Sequence, residues 1–288
     1  MDRIDITPDL SFSRISWGLM RSHEIEPGGL RSRLDACLAH GITTLDHADI
    51  YGGYRNEALL GGVFREAPGL RDSFEIVTKC GIQAPWGERD HLPVKHYDTS
   101  RDYIHAQVDH SLAKLGTDHV DLLLIHRPDP LMDADQTGRA LDGLVGEGLV
   151  REVGASNFRP WDVSLLQSRM GAPIVANQIE LSLGHTAPLF DGDLAFAYEH
   201  ALLPMAWSPL GGGDVLGAPW LVERAEAKGC TPAQLALAFL LAHPSGIQPV
   251  VGTRDPARIG ELAGAVDVEL SRTEWFALLE AARGEPVP

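Results

Sequence analysis

Eight short β-type runs alternate with helical stretches along this chain, and that alternation constrains the fold more than any other feature. The runs are FSRISWG (12–18), ITTLDHA (42–48), FEIVTKC (74–80), VDLLLIH (120–126), VREVGAS (150–156), IVANQIELS (174–182), LLPMAWS (202–208) and IQPVVGT (247–253). The stretches predicted to be helical are 28–40, 56–66, 100–115, 134–147, 160–169, 191–200, 231–242 and 255–264. Eight such pairs predict an α/β fold, a closed parallel (β/α)8 TIM barrel.

Two further elements lie outside this pattern. The segments RIDIT (3–7) and FSRIS (12–16) predict an N-terminal β-hairpin that closes the bottom of the barrel, and SRTEWFALLEAARG (271–284) predicts an extra C-terminal helix on its side. An open doubly wound sheet alternates in the same way, but its usual ligands need a GxGxxG or P-loop turn, and the sequence contains neither. We therefore expect a single barrel domain over residues 1–288.

The overall charge narrows the classes of partner. The 288-residue chain carries 24 basic and 40 acidic residues, a net charge of −16. Such a charge repels phosphate backbones, so we expect neither a nucleic-acid nor an anionic-membrane partner. The three cysteines have no metal-ligand spacing, and no metal site is predicted. With no signal-peptide profile in residues 1–10 and no apolar run of roughly 20 residues, we expect a cytoplasmic protein.

Four polar residues lie at or just beyond the C-terminal ends of three successive predicted strands. They are Asp46 and Tyr51 in TLDHADIY, Lys79 in IVTKC, and His126 in LLLIHRP. Each has an ordinary structural explanation when taken alone, such as a capping aspartate or a satisfied core histidine. Because the C-terminal rim is where a (β/α)8 barrel builds its active site, their joint placement favours catalysis.

These residue types suit the reduction of a carbonyl group. The developing alkoxide needs a proton, and a tyrosine with an ordinary pKa of about 10 is a poor acid-base catalyst unless its surroundings change it. We expect Lys79, paired with Asp46, to lower the pKa of Tyr51, which would be the proton donor. We expect His126 to hydrogen-bond the substrate oxygen.

An ordered set of motifs over residues 42–261 resembles the aldo-keto reductases. The motifs are DHADIYGGY…NEALLG, IVTKCGI, LLLIHRPDP, GASNF, NQIE, AWSPLGGG and VVGTRDPARIGE, and within that superfamily they look most like bacterial YdhF-like oxidoreductases. The resemblance implies that Asp46, Tyr51, Lys79 and His126 form a catalytic tetrad. It also implies an NADPH (NADP+) cofactor lying extended across the barrel mouth and a small-molecule carbonyl substrate.

The same resemblance assigns cofactor contacts by position. Ser156, Asn157 and Gln178 match residues that bind the nicotinamide carboxamide, and Trp207 matches a ring stacked on the nicotinamide. Ser208, Leu210, Gly211 and Gly212 resemble the loop over the pyrophosphate, where glycines let backbone N–H groups approach phosphate. Thr253, Arg254 and Arg258 match residues that grip the adenosine 2′-phosphate, so NADPH is expected over NADH. Further cofactor contacts are predicted at Met20, Arg21 and Glu261, and a substrate-pocket wall at Trp86.

The sequence departs from the family pattern at two places. Leu262 stands where many members have an asparagine that contacts the adenine, and WGLMR (17–21) replaces a small-residue turn.

Two other functions stay open. A metal-dependent barrel hydrolase built on Asp46, His47, Asp49 and His126 is one alternative, although such sites often carry an HxH pair, which this chain lacks. The other is a non-catalytic nicotinamide-binding sensor subunit. No motif specifies the carbonyl substrate or the oligomeric state.

Overall fold

Eight parallel strands close into a barrel in the computed structural model, which describes residues 1–26 and 28–287. The strands are β1 (Arg3–Thr7), β2 (Leu10–Ser13), β3 (Ser16–Gly18), β4 (Thr44–Asp46), β5 (Glu75–Cys80), β6 (Ile82–Gln83), β7 (His96–Tyr97), β8 (Val120–Ile125), β9 (Val150–Ser156), β10 (Ile174–Glu180), β11 (Leu203–Trp207) and β12 (Gln248–Val251). The barrel runs β3-β4-β5-β8-β9-β10-β11-β12, and β12 pairs with β3 to close it. The two remaining pairs, β1-β2 and β6-β7, are antiparallel.

Helices follow the barrel strands as the sequence predicts. They are α1 (Gly29–Ala39), α2 (Tyr51–Tyr54), α3 (Asn56–Glu66), α4 (Arg101–Leu115), α5 (Ala134–Gly146), α6 (Pro160–Gln167), α7 (Asp193–Glu199), α8 (Pro219–Lys228), α9 (Pro232–Leu241), α10 (Pro256–Ala263) and α11 (Arg272–Arg283). The (β/α)8 prediction is confirmed, as is the extra C-terminal helix, α11, which begins with a Ser271–Glu274 capping box. Residues 1–26 and 28–287 contain no apolar helix of the length needed to span a lipid bilayer.

Apolar side chains fill the interior of the barrel and fix the position of the hairpin. Leu10 and Phe12 of β2 belong to one buried cluster with residues of the barrel strands, among them Val77 and Leu122. The guanidinium of Arg3 pairs with Glu75, the first residue of β5, at 2.6 Å. The hairpin therefore covers the N-terminal end of the barrel, which leaves the C-terminal rim for the site.

The first predicted strand is two strands in the structure. We predicted one barrel strand over 12–18 and a hairpin partner over 12–16, but the hairpin strand is β2 and the barrel strand is only β3. Arg14 lies between them, and its guanidinium donates to the carbonyl oxygens of Leu241 at 2.8 Å and Ile247 at 2.7 Å. These bonds satisfy backbone acceptors at the last residue of α9 and directly before β12, and the chain turns at Arg14 instead of continuing in one strand.

Candidate active site

A lysine and an aspartate form a buried ion pair at the ends of two neighbouring strands. Asp46 is the last residue of β4, and Lys79 lies in the adjacent strand β5. The Lys79 Nζ lies 2.8 Å from both Asp46 carboxylate oxygens and 2.7 Å from the carbonyl oxygen of His47. It also donates to the Tyr51 hydroxyl at 3.2 Å. The lysine side chain is completely buried, so its charge depends on these acceptors.

The charge of Lys79 is held in place by this arrangement. Burial opposes the charged form of Lys79, but the attraction and hydrogen bonds from Asp46 and Tyr51 outweigh it and raise the pKa of the lysine above its ordinary value. The ammonium also lies 5.1 Å from the centroid of the Tyr51 ring. A permanent cation therefore adjoins the phenol.

The pKa of Tyr51 shifts in the direction opposite to the sequence-based expectation. Burial raises the pKa of the phenol, and the nearby cation of Lys79 lowers it by less than that amount, so the net pKa is above its ordinary value. The expectation was wrong because the cost of removing the phenolate from water depends on burial. The consequence is a Tyr51 that carries its proton at neutral pH.

A glycine-containing turn fixes the position of Tyr51 at the start of α2. Gly52 has a positive φ of 59°, and a Cβ added there would lie 1.8 Å from the Asn56 side-chain oxygen. The Asn56 amide in turn donates to the carbonyl oxygens of Leu19 at 2.9 Å and Met20 at 3.0 Å. This close approach excludes a side chain at residue 52, and it connects the turn that holds Tyr51 to the segment after β3.

His126 completes the polar group next to Tyr51. Its backbone N–H donates to the carbonyl oxygen of Cys80 at 2.8 Å, and its ring lies 6.0 Å from the Tyr51 ring in a T-shaped arrangement. Burial, with smaller contributions from Lys79 and Arg127, holds the pKa of His126 well below its usual range. The imidazole is therefore neutral near pH 7 and keeps one N–H to donate.

A cavity of about 490 Å³ opens beside these residues at the C-terminal rim of the barrel. The predicted site residues that line it are Met20, Arg21, Asp46, Tyr51, His126, Ser156, Asn157, Gln178, Trp207, Ser208, Leu210, Gly212, Thr253, Arg254 and Arg258. The lining residues that the sequence did not single out as contacts are Gly18, Arg127, Pro209, Gly213, Leu216, Val250, Val251, Gly252 and Leu262. The structure thus brings residues from both halves of the chain to one cavity.

Four predicted residues lie away from the surface of this cavity. Lys79 is buried behind Asp46 and Tyr51, and Gly211 is adjacent to lining residues without being one of them. The backbone oxygen of Glu261 accepts a hydrogen bond from Gln234 at 2.8 Å. Trp86 is 44% exposed in the segment between β6 and β7. The predicted roles of Glu261 and Trp86 have no contact with this cavity to support them.

A connected set of amides forms one wall of the cavity. The side-chain amide of Gln178 donates to Asp46 at 2.7 Å, and the Ser156 hydroxyl donates to the backbone carbonyl oxygen of Gln178 at 3.1 Å. The Asn157 amide donates to Ser156 at 2.8 Å and accepts from the Trp207 indole N–H at 2.9 Å. Each side chain is oriented by its neighbour, so this wall presents a fixed array of polar groups beside an aromatic ring.

Glycine backbone and two arginines form other parts of the wall. Gly212 has a φ of 70°, and a Cβ added there would meet no heavy atom within 4 Å, so its backbone is open to the cavity. Arg254 forms a salt bridge with Glu24, and its carbonyl oxygen accepts from Arg33 at 2.8 Å. Arg258 makes no salt bridge within the described part of the chain. Open N–H groups and guanidinium groups are the donors that phosphate prefers.

Arg127 is a lining residue that sequence reasoning missed. It follows His126 directly, and its guanidinium carbon lies 5.7 Å from the centroid of the Trp207 ring. Among the described residues, no carboxylate pairs with it. The HRPDP motif contains this residue, but a motif gives no sign that a cation lacks a partner.

The geometry weakens the metal-hydrolase alternative. Both oxygens of Asp46 accept from the Lys79 ammonium, a cation that would repel a metal ion. The His47 ring accepts from the Ala48 N–H at 2.9 Å, and burial lowers the pKa of His47 to about 4. Across residues 1–26 and 28–287, no group of three His, Cys, Asp or Glu side chains is arranged to hold a metal.

Comparisons with known proteins agree with this geometry. A model of the aldo/keto reductase family matches residues 14–283. A 6-dehydroglucose reductase from Agrobacterium fabrum is 50% identical over the full length of both chains, and the oxidoreductase YdhF from Escherichia coli is 40% identical over the full length of both. An aldo/keto reductase from Klebsiella pneumoniae, solved with NADP and acetate, superposes with a TM-score of 0.80 at 26% identity, over 99% of this chain and 96% of that one.

These matches confirm the family that the motifs predicted. They extend over nearly the whole chain, and the matched region includes all four residues of the predicted tetrad. The chain therefore belongs to the aldo/keto reductase family and is an NAD(P)H-dependent oxidoreductase.

Proposed function

We propose that this protein reduces the aldehyde group of a small hydroxylated substrate to an alcohol, with NADPH as reductant and Tyr51 as proton donor. The observation that carries the proposal is the contact of the Tyr51 hydroxyl with the buried Lys79 ammonium at 3.2 Å, beside His126 at the cavity surface. A protonated phenol next to a fixed cation is suited to donate a proton and to be stabilised afterwards as phenolate.

The four residues divide the work in this proposal. Bound NADPH would supply the hydride that reduces the carbonyl carbon. Tyr51 gives its proton to the carbonyl oxygen, and Lys79 stabilises the resulting phenolate. The neutral His126 donates its ring N–H to the same oxygen and so favours charge on it. Asp46 keeps Lys79 in place and also orients Gln178.

The groups that line the cavity are of the chemical types that bind the parts of NADPH. Ser156, Asn157 and Gln178 offer amide and hydroxyl groups for a carboxamide, and Trp207 offers a ring for stacking. The open backbone at Gly212 suits a pyrophosphate, and we assign Arg254 and Arg258 to the 2′-phosphate. This assignment favours NADPH over NADH.

A hydroxylated substrate is proposed on two grounds. The relative from Agrobacterium fabrum is named a 6-dehydroglucose reductase, and it shares half of its residues with this chain. The Arg127 guanidinium has no acidic partner in the part of the chain that the structure describes, and it lies at the cavity surface next to His126. A planar cation with five N–H donors can bind neighbouring hydroxyl groups.

The classes of binding partner are limited by the negative charge of the chain. Because the protein has a net charge of −16, we expect it to bind small molecules and neither nucleic acid nor an anionic membrane. We propose a cytoplasmic location for the enzyme.

The test compares aldehydes by following NADPH absorbance. We expect 6-dehydroglucose to be turned over with a higher kcat/KM than an unhydroxylated aldehyde of the same chain length. Arg127→Met should lower kcat/KM for the sugar by about tenfold, the loss of roughly one charge-assisted hydrogen bond, and leave the plain aldehyde unchanged. Tight NADPH binding without turnover of any aldehyde would support the sensor alternative and contradict the proposal.

A further inference from the structure

The arginine assigned to the 2′-phosphate already has a carboxylate partner in this structure. Arg254, which follows β12, donates from its guanidinium to the carboxylate of Glu24, which lies in the segment between β3 and α1. The two side chains are 51% and 38% exposed. Glu24 therefore occupies a guanidinium that the cavity would otherwise offer to a phosphate.

The backbone around this pair is also fixed. Arg33 of α1 donates to the carbonyl oxygen of Arg254 at 2.8 Å and pairs with Glu26 at 2.7 Å. The Trp17 indole donates to the Thr253 carbonyl oxygen at 3.0 Å. The segment that carries Glu24 and the one that carries Arg254 are thus held next to each other independently of their own ion pair.

An ion pair of this kind is weak enough to be exchanged for a ligand. Exposed pairs contribute little to stability because water and salt screen them. A phosphate carries more charge than a carboxylate and accepts from arginine in a bidentate manner, so it can displace Glu24 from Arg254. Once displaced, Glu24 remains nearby as a like charge.

A ribose without the phosphate meets a different environment. Its free 2′-hydroxyl can donate to a carboxylate, which is how dinucleotide-binding sites of another fold select NADH. Glu24 therefore opposes a 2′-phosphate and accommodates a 2′-hydroxyl. Arg258, which has no acidic partner in the described ranges, remains available to both.

We infer that Glu24 is a specificity-determining residue for the cofactor, and that its competition for Arg254 limits the preference for NADPH over NADH. This inference rests on the proposed assignment of Arg254 to the 2′-phosphate. It gives a role to a residue that none of the family motifs in the sequence includes.

The test measures dissociation constants for NADPH and NADH through quenching of tryptophan fluorescence, without any carbonyl substrate. Four proteins are compared: wild type, Glu24→Gln, Arg254→Gln and the double variant. Asp109→Asn is the control for net charge, because Asp109 is exposed on α4 and pairs with no cation in the described part of the chain. All five proteins are measured at low and at high salt.

We expect Glu24→Gln to bind NADPH about two- to fivefold more tightly, the range that an exposed ion pair allows, and to bind NADH no more tightly than wild type. The gain should shrink at high salt and disappear when Arg254 is also replaced. Equal changes for both cofactors, or a change no larger than that of Asp109→Asn, would overturn the inference.

The same measurements separate this inference from the proposed function. If Arg254→Gln weakens NADPH selectively while Glu24→Gln does nothing, only the role of Glu24 is wrong. If Arg254→Gln affects both cofactors equally, the assignment of the 2′-phosphate is wrong and the inference fails with it. A wild-type protein that binds neither cofactor would overturn both.

Discussion

Two ion pairs at the rim of the same barrel differ in nearly every physical respect. Lys79 and Asp46 are buried, and the lysine makes four contacts with oxygen atoms. Arg254 and Glu24 are about half and more than a third exposed, and Glu24 additionally lies 4.0 Å from the Nε2 of the exposed His23 ring. The first pair is part of the interior, whereas the second lies in contact with solvent.

The difference in burial determines how readily each cation can exchange its anionic partner. A buried cation cannot leave its partner without leaving an uncompensated charge, so Lys79 is a fixed electrostatic element beside Tyr51. An exposed cation can exchange one anion for another at little cost, so Arg254 is suited to bind and release a ligand. The contrast predicts large effects from changes in the first pair and small effects from changes in the second.

The largest effect is expected for Lys79→Met. This change leaves Asp46 buried without its partner, and we expect the free energy of unfolding to fall by about 3–5 kcal/mol, measured by urea denaturation. The matched double variant Lys79→Met with Asp46→Asn should recover part of the loss, because the stranded charge is gone. A loss below about 1 kcal/mol in the single variant would show that the buried pair behaves like a surface pair.

A second effect is the pH dependence of the free energy of unfolding, to which the buried His47 contributes. Burial lowers the pKa of His47 to about 4 in the folded protein, below its ordinary 6.5. As the pH falls, His47 therefore gains a proton in the unfolded chain before it does in the folded protein. Folded His47 therefore favours stability above pH 6.5, and this contribution should decrease by about 3 kcal/mol between pH 6.5 and 4. Urea denaturation of His47→Gln over this range should show a shallower dependence on pH. An unchanged slope would contradict the low pKa.

The smallest effect is expected for Glu24→Gln. Because the pair with Arg254 is exposed, the free energy of unfolding should change by less than about 1 kcal/mol, and the difference should vanish at high salt. The same urea denaturation protocol allows direct comparison with Lys79→Met. A loss of several kcal/mol would mean that Glu24 has a structural role, and the contrast between the pairs would fail.

The sequence was sufficient to predict the barrel because each strand is short, apolar and followed by a helix. It was not sufficient at residues 12–18, where the bonds of Arg14 to Leu241 and Ile247 interrupt a continuous β-type run. The helix α8 was also missed, since the repeating pattern provides for one helix after each strand and α8 precedes a second one, α9. Long-range contacts decide the first difference, whereas α8 carries local signals of its own, Pro219 at its start and Gly229 just after its end.

The candidate site likewise has features that the sequence predicts and features that it does not. The juxtaposition of Asp46, Tyr51, Lys79 and His126 was predictable because neighbouring parallel strands bring their ends to one rim, which requires only the strand order. The direction of the Tyr51 pKa shift was not predictable, because it depends on how deeply the phenol is buried. The pair between Glu24 and Arg254 was not predictable either, as it joins residues 230 positions apart.

The proposed role of Tyr51 as proton donor can be measured through the rate of the chemical step. The rate of NADPH oxidation in a single turnover with saturating aldehyde is compared between wild type and Tyr51→Phe, with NADPH affinity measured in parallel. We expect the rate to fall by about 10²–10⁴-fold, the range for loss of a general acid, while NADPH affinity stays the same. An equal rate in the variant would contradict the account.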